Sequence, residues 1–156
     1  YVENGQEIYP LNLAPGGDTY TNFYSLPPNG VFYITKGKTA GIVKKEDYAQ
    51  INSDLDFATQ SGPMAVINGK INPQFQKKST SKFIRSGVGV RKDGSVLFAI
   101  SQHPVNFYDF ARIFLFYGCQ DALYLDGAIS EMYLPEINRN QSSNEFALLI
   151  AVTEKM

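Results

Sequence analysis

Residues 86–101, SGVGVRKDGSVLFAIS, constrain the fold more than any other stretch. Two β-type runs flank Asp93-Gly94, a dipeptide that supplies positive φ and closes a tight antiparallel turn. The spacing then changes. In PVNFYDFARIFLFYG (104–118), Phe107, Phe110, Ala111 and Phe114 fall at i, i+3, i+4 and i+7, one apolar stripe of a helix. Asn106 is placed to cap that helix, Asp109 stands three residues on as in a capping box, and Gly118 suits its C-terminal stop.

The remaining segments are mostly strands. VFYIT (31–35) and TAGIV (39–43) are joined by KGK, a hairpin turn, and KKEDYAQI (44–51) is a short helix candidate. FATQSG and MAVING are extended pieces broken at Gly62-Pro63, and Asn68-Gly69 returns the chain through KINPQF. ALYLD (122–126) is a short buried strand, and EFALLIAV (145–152) is expected to close the chain as another. The first thirty residues, rich in Gly, Pro, Asn and Asp, read as loops. The expected class is α+β, a twisted mixed and largely antiparallel sheet with one main helix, about 106–117, packed on a face. Nothing divides the chain, so residues 1–156 are expected to form one domain. Because YVENGQEIYPLNL opens without methionine, the chain is also expected to be the later part of a longer protein.

Charge and composition exclude several functions. The net charge is -1 and no segment carries a basic block, so capture of nucleic acid or of an anionic membrane has nothing to rest on. No apolar run reaches the roughly 18 to 20 residues of a membrane span. Cys119 cannot form an intrachain disulfide and reads as a small buried hydrophobe. His103 has no second histidine and no cysteine pair beside it for a triad or a zinc site. No oxygen-ligand loop of recognisable spacing appears, so neither a metal nor a cofactor is assigned.

The chemistry centres on ALYLDGAISEMYLP (122–135), where an apolar run ends on Asp126. The plainer reading is an Asp-Gly turn in which Asp126 caps backbone and Ser130 is an ordinary loop residue. The sharper reading gives Asp126 a held backbone and a carboxylate at the sheet rim. There Gly127 admits close approach of a ligand, and Ser130 supplies a hydroxyl. Such a carboxylate suits work as acid, base or nucleophile. FIRSGVGV raises the same question: Arg85 precedes two glycines in a β-type run and is suited to clamp an anion with paired N–H donors. ATQSGPM bunches Gln60, Ser61 and Gly62 before a proline, either a substrate-facing turn or a corner.

These stretches together, with PNGVFYI, PVNFYDFARIF and GCQDALYLDGAIS, resemble the phosphodiester glycosidase domain family, and bacterial members of it in particular. The matching pieces run from about residue 28 to residue 130. The resemblance implies hydrolysis of a sugar-1-phosphodiester. It matches Asp126, Gly127 and Ser130 to the family's LDGGGS element, and Arg85 and Gly89 to the ends of its R-x-x-x-G strand. Two departures are visible. Ala128-Ile129 replace a Gly-Gly pair, and an Asn-Gly-rich upstream segment of the family precedes the region matched here.

The mechanism this implies gives Asp126 the oxocarbenium-like transition state and Arg85 the phosphate charge. Ser130, Ser61, Gly62, Gly89 and Gly127 are the candidate substrate-binding positions, and Tyr124 or Tyr133 a stacking surface for the sugar. The expected partner is a small molecule or glycan bearing sugar-1-phosphate. The alternative is a non-catalytic module that binds glycan or sugar phosphate. The resemblance also suggests an exported bacterial protein.

Overall fold

The structure, a computed structural model, describes residues 12–13, 26–51, 54–127, 130–141 and 149–153. In chain order the elements are β1 (Asn12–Leu13), β2 (Gly30–Thr35), β3 (Ala40–Lys44), a 3₁₀ turn (Lys45–Gln50), β4 (Leu55–Ser61) and β5 (Met64–Ile67). They continue with β6 (Lys70–Ile71), β7 (Ser86–Arg91), β8 (Val96–Ile100), α1 (Phe107–Phe116) and β9 (Cys119–Asp126). A small hairpin of β10 (Tyr133–Leu134) and β11 (Arg139–Asn140), bridged by a 3₁₀ turn at Pro135–Ile137, follows.

The α+β class, the antiparallel pairing and the helix on one face are as the sequence indicates. The strands fall into two main sheets, however. One has the order β1-β4-β2-β3 and the other β6-β5-β9-β7-β8, and every pairing in both is antiparallel. Between them lies a core of Phe32, Ile42, Met64, Val88, Val90 and Leu123. Val31, Tyr48, Leu55 and Ala58 pack together on the outer face of the four-stranded sheet. On the outer face of the five-stranded sheet, α1 lays Phe110, Ala111 and Phe114 onto Ala65, Val66, Ala122 and Tyr124. That is the stripe read from i, i+3, i+4 spacing.

Local signals explain the joints. Asn106 Oδ1 accepts from Asp109 N at 2.8 Å and caps α1, satisfying one of the helix's orphan donors. At the β7–β8 turn Gly94 has φ of 83°, and Asp93 Oδ1 accepts from Ser95 N at 2.9 Å and from Ser95 Oγ at 2.7 Å. Two bulges interrupt the β7–β9 ladder, between Ser86 and Gly87 and between Val90 and Arg91. The 44–51 helix candidate is the 3₁₀ turn at Lys45–Gln50. Of the expected closing strand, residues 149–152 are in no strand and 145–148 lie outside the described residues, as do the loops read at 1–11 and 14–25. No helix among the described residues is long and apolar enough to cross a membrane.

Candidate functional site

Strand polarity brings three separate segments to one rim. β9 ends at Asp126, and antiparallel β7 begins opposite it at Ser86. The passage from β4 to β5 arrives beside them, with Tyr124 N donating to Pro63 O at 3.1 Å and Ser61 Oγ to Leu125 O at 3.1 Å. The first bulge explains that last bond. Ser86 pairs with Asp126 and Gly87 with Tyr124, so Leu125 is the extra residue. A bulge leaves such a residue outside the regular ladder, and the buried Ser61 hydroxyl supplies its carbonyl with a donor.

The bulge also sets which way Asp126 faces. Side chains alternate along a strand, so in a ladder without the bulge Asp126, two residues after Tyr124, would share its α1 face. With it, Asp126 joins Ser86 on the opposite face, towards the four-stranded sheet. The Ser130 hydroxyl completes the group, 2.9 Å from Ser86 Oγ, 2.9 Å from Asp126 O and 3.3 Å from Asp126 Oδ2. Ser86 Oγ lies 3.4 Å from Asp126 O. Each hydroxyl has one proton, so the two serines share two protons among Ser86 Oγ, Ser130 Oγ, Asp126 O and Asp126 Oδ2. All three residues are half-buried, within reach of a ligand at the rim.

Arg85 lies on the other face, and its side chain is committed. It is 2% exposed. Nε donates to Val105 O at 2.9 Å and Nη2 to Ser81 O at 3.1 Å. The guanidinium carbon sits 3.8 Å from the centre of the Phe107 ring, with Phe83 and Tyr124 rings at 5.3 and 5.4 Å. Burial pulls the guanidinium below the usual arginine range, and the charge and hydrogen bond of the adjoining Tyr124 hydroxyl pull it back up. With two of its five N–H donors on backbone carbonyls and its plane against Phe107, the guanidinium is buried rather than presented at the rim as the expected clamp would be.

The candidate glycines admit this chain's own atoms. A Cβ at Gly127 would run into the Tyr124 hydroxyl, and one at Gly62 into Asn29 Oδ1. At Gly89 it would stand 2.6 Å from Phe114 Cδ1 and 2.6 Å from Cys119 Sγ, beneath α1 and away from the rim. Gly87, likewise, faces Phe110 and Phe114. The "something close" that the two β7 glycines accommodate is therefore the helix. Gly62 is a corner, and Gly89 is a packing position.

Of the two tyrosines considered for stacking, Tyr124 is buried, while Tyr133 is 68% exposed on the β10–β11 hairpin. Ser86 and Asn29 escaped the sequence reading. The signal for Ser86 was its place next to Arg85, on the opposite face of the same strand. Asn29 is 5% exposed and its Oδ1 has no hydrogen-bond partner among the described residues; nothing in PPNG marked it. Ala128 and Ile129 lie outside the described residues. Among the described residues, no three His, Cys, Asp or Glu side chains come together as metal ligands.

Comparison with known proteins gives the arrangement a setting. A family model described as phosphodiester glycosidase matches residues 1–152. An Escherichia coli (strain K12) protein described as uncharacterized protein YigE is 44% identical over 137 residues, which is 86% of this chain and 51% of that protein. The chain thus spans about half the length of that curated relative. Among solved structures, the catalytic domain of zebrafish N-acetylglucosamine-1-phosphodiester alpha-N-acetylglucosaminidase, auto-inhibited by its pro-peptide, is similar at 20% identity and a TM-score of 0.49. The likeness covers 64% of this chain and 40% of that one. A hypothetical protein from Synechocystis is similar at 15% identity and a TM-score of 0.36, over 75% of this chain and 30% of the other.

Proposed function

The chain belongs to the phosphodiester glycosidase family, and on that footing we propose that it hydrolyses a sugar-1-phosphodiester, releasing free sugar and a phosphomonoester. The observation that carries the reading is the held carboxylate. Asp126 stands at a bulged strand end, with Ser130 Oγ 3.3 Å from its Oδ2 and Ser86 Oγ bracing Ser130. Phosphate leaves readily, so the demanding part of the reaction is the positive charge that grows on the anomeric carbon. A fixed carboxylate stabilises that charge or attacks the carbon, and water then completes the transfer. In this reading Asp126 is the catalytic residue and Ser86 and Ser130 are its positioning residues, also offered to substrate oxygens. Arg85 acts from below by fixing Phe107 and Tyr124. Ser61 and Gly62 hold the corner beside the bulge.

The test is hydrolysis of sugar-1-phosphodiesters in water labelled with oxygen-18. Label in the sugar supports the reading; label in the phosphate means a phosphodiesterase and overturns it. Asp126→Asn, nearly isosteric, is expected to lower kcat at least about 100-fold with an unchanged circular dichroism spectrum. A fully active variant removes Asp126 from its role.

One observation favours a second reading. Arg85 is 2% exposed and donates from Nε and Nη2 to backbone carbonyls, which withdraws the cation expected for turnover from the rim. A module that binds glycan or sugar phosphate without cleaving it would retain its affinity in Asp126→Asn and form no product.

A further inference from the structure

Charge is segregated along this chain. Residues 57–92 hold seven of its 14 Lys and Arg and none of its 15 Asp and Glu, +7 against -8 elsewhere. The cations fall in two adjacent pairs, Lys77-Lys78 and Arg91-Lys92, and three single positions, so only the fold reveals where they gather. Lys70, Arg91 and Lys92 go to the far end of the five-stranded sheet, where Arg91 pairs with Cys119 at the start of β9. Lys77, Lys78 and Lys82 lie on the loop between β6 and β7, which leads to the Asp126 rim.

That loop is fastened. Asn106 Nδ2 donates to Lys77 O at 3.3 Å and to Ser79 O at 3.4 Å while its Oδ1 caps α1. Arg85 Nη2 takes Ser81 O, and the Phe83 and Val105 backbones exchange bonds of 3.1 and 2.9 Å. Lys77 Nζ sits 5.3 Å over the Tyr108 ring, in the first turn of the helix, where the macrodipole is positive. All three lysines are exposed, and none takes part in an ion pair among the described residues. The acid of that helical turn, Asp109, lies 3.8 Å from Arg112 Nη1. At about 3.3 Å per extended residue, Lys82 starts no more than about 13 Å from Ser86.

We propose that Lys77, Lys78 and Lys82 form a second anion subsite, which takes a further phosphate group carried by the leaving half of the substrate. The proposal rests on the hydrolase reading above and names its substrate class: a sugar-1-phosphodiester with at least one more phosphate beyond the scissile one. Two sources share that chemistry, a pyrophosphate-linked nucleotide and a repeating sugar-phosphate oligomer. Exposed lysines act through a screened field, so the subsite works at low ionic strength and fades as salt shortens the Debye length.

The experiment compares the native chain with the Lys77→Gln/Lys78→Gln/Lys82→Gln variant in two assays. In the first, inorganic tripolyphosphate is titrated at about 20 mM and about 150 mM salt, with binding read by calorimetry. The native chain is expected to bind about tenfold more tightly than the variant at the lower salt, and equal affinities overturn the subsite. In the second, KM is measured for a single-phosphate diester, a pyrophosphate-linked substrate and a sugar-phosphate oligomer. The native chain is expected to prefer a multi-phosphate substrate, and the variant's KM ratio to collapse towards one. The preferred substrate identifies the source, and absence of preference in the native chain overturns the proposal. Lysine-dependent tripolyphosphate binding without turnover of any substrate supports the subsite and defeats the hydrolase reading instead.

Discussion

The Tyr124 hydroxyl fills the space that a side chain at position 127 would need. Strand alternation produces this: after the bulge puts Asp126 on the Ser86 face, Gly127 turns back to the Tyr124 face. The same hydroxyl meets Arg85 from the other side. The turn that presents the carboxylate is thus fitted against a buried Arg–Tyr pair.

Gly127→Ala is therefore expected to cost about 1–3 kcal/mol by overpacking, and Tyr124→Phe to restore much of it by removing the obstructing oxygen. Tyr124→Phe alone should cost about 1 kcal/mol, the net worth of its hydrogen bond. A double-mutant cycle by urea denaturation measures the coupling. Additive effects would show that the hydroxyl and Gly127 do not compete for space.

Arg85→Lys is expected to destabilise the protein by about 2 kcal/mol or more, since an ammonium cannot reproduce the planar stack on Phe107 while serving both Val105 O and Ser81 O. The measurement is the thermal midpoint with no substrate present. An unshifted midpoint would return Arg85 to the role of a clamp on substrate.

Burial pushes the Cys119 thiol up from its ordinary range, with Arg91 pulling weakly the other way. Little thiolate exists at neutral pH, so alkylation of the native protein is expected to be far slower than in denaturant. Equal rates in the two conditions would place Cys119 at the surface.

Asp93 yields a pH prediction of determined sign. The Ser95 hydroxyl and amide hold its carboxyl below the usual range. The stability it contributes is then present above the unfolded value, near 3.9, and lost as pH falls through the lower folded value. Native and Asp93→Asn stability curves should differ at neutral pH and converge in acid. Curves that stay parallel down to about pH 2 would remove the linkage.

Much of this architecture was legible because it is local. The Phe107–Phe114 stripe, the Asn106 cap and the Asp93-Gly94 turn each declare themselves within a few residues. What stayed hidden depends on which elements meet. The β7 glycines signalled a close approach, but only the assembled sheet shows that Phe110 and Phe114 make it. Arg85 suggested a clamp because it precedes two glycines in a β-type run, and nothing nearby told of Val105 O or Ser81 O. The split into two sheets turns on one corner, Ser61-Gly62-Pro63, whose local sequence fits a corner or a substrate-facing turn equally. The Asp126–Ser130 pairing was visible as a short loop; its brace, Ser86, lies 44 positions away from Ser130 in sequence.

The bulge at Leu125 makes the parity of β9 a point of vulnerability. If Leu125 re-entered the regular alternation, every residue would be kept, yet the carboxylate would turn into the apolar layer under α1, where Phe107 and Phe110 pack; excising Leu125 would instead leave Asp126 opposite Ser86 and remove only the carbonyl that Ser61 serves. A chain could thus lose this site through a change of register alone, without losing any residue of the site itself. For such a strand, the irregularity between Tyr124 and Asp126 is inherited information as much as the identity of either.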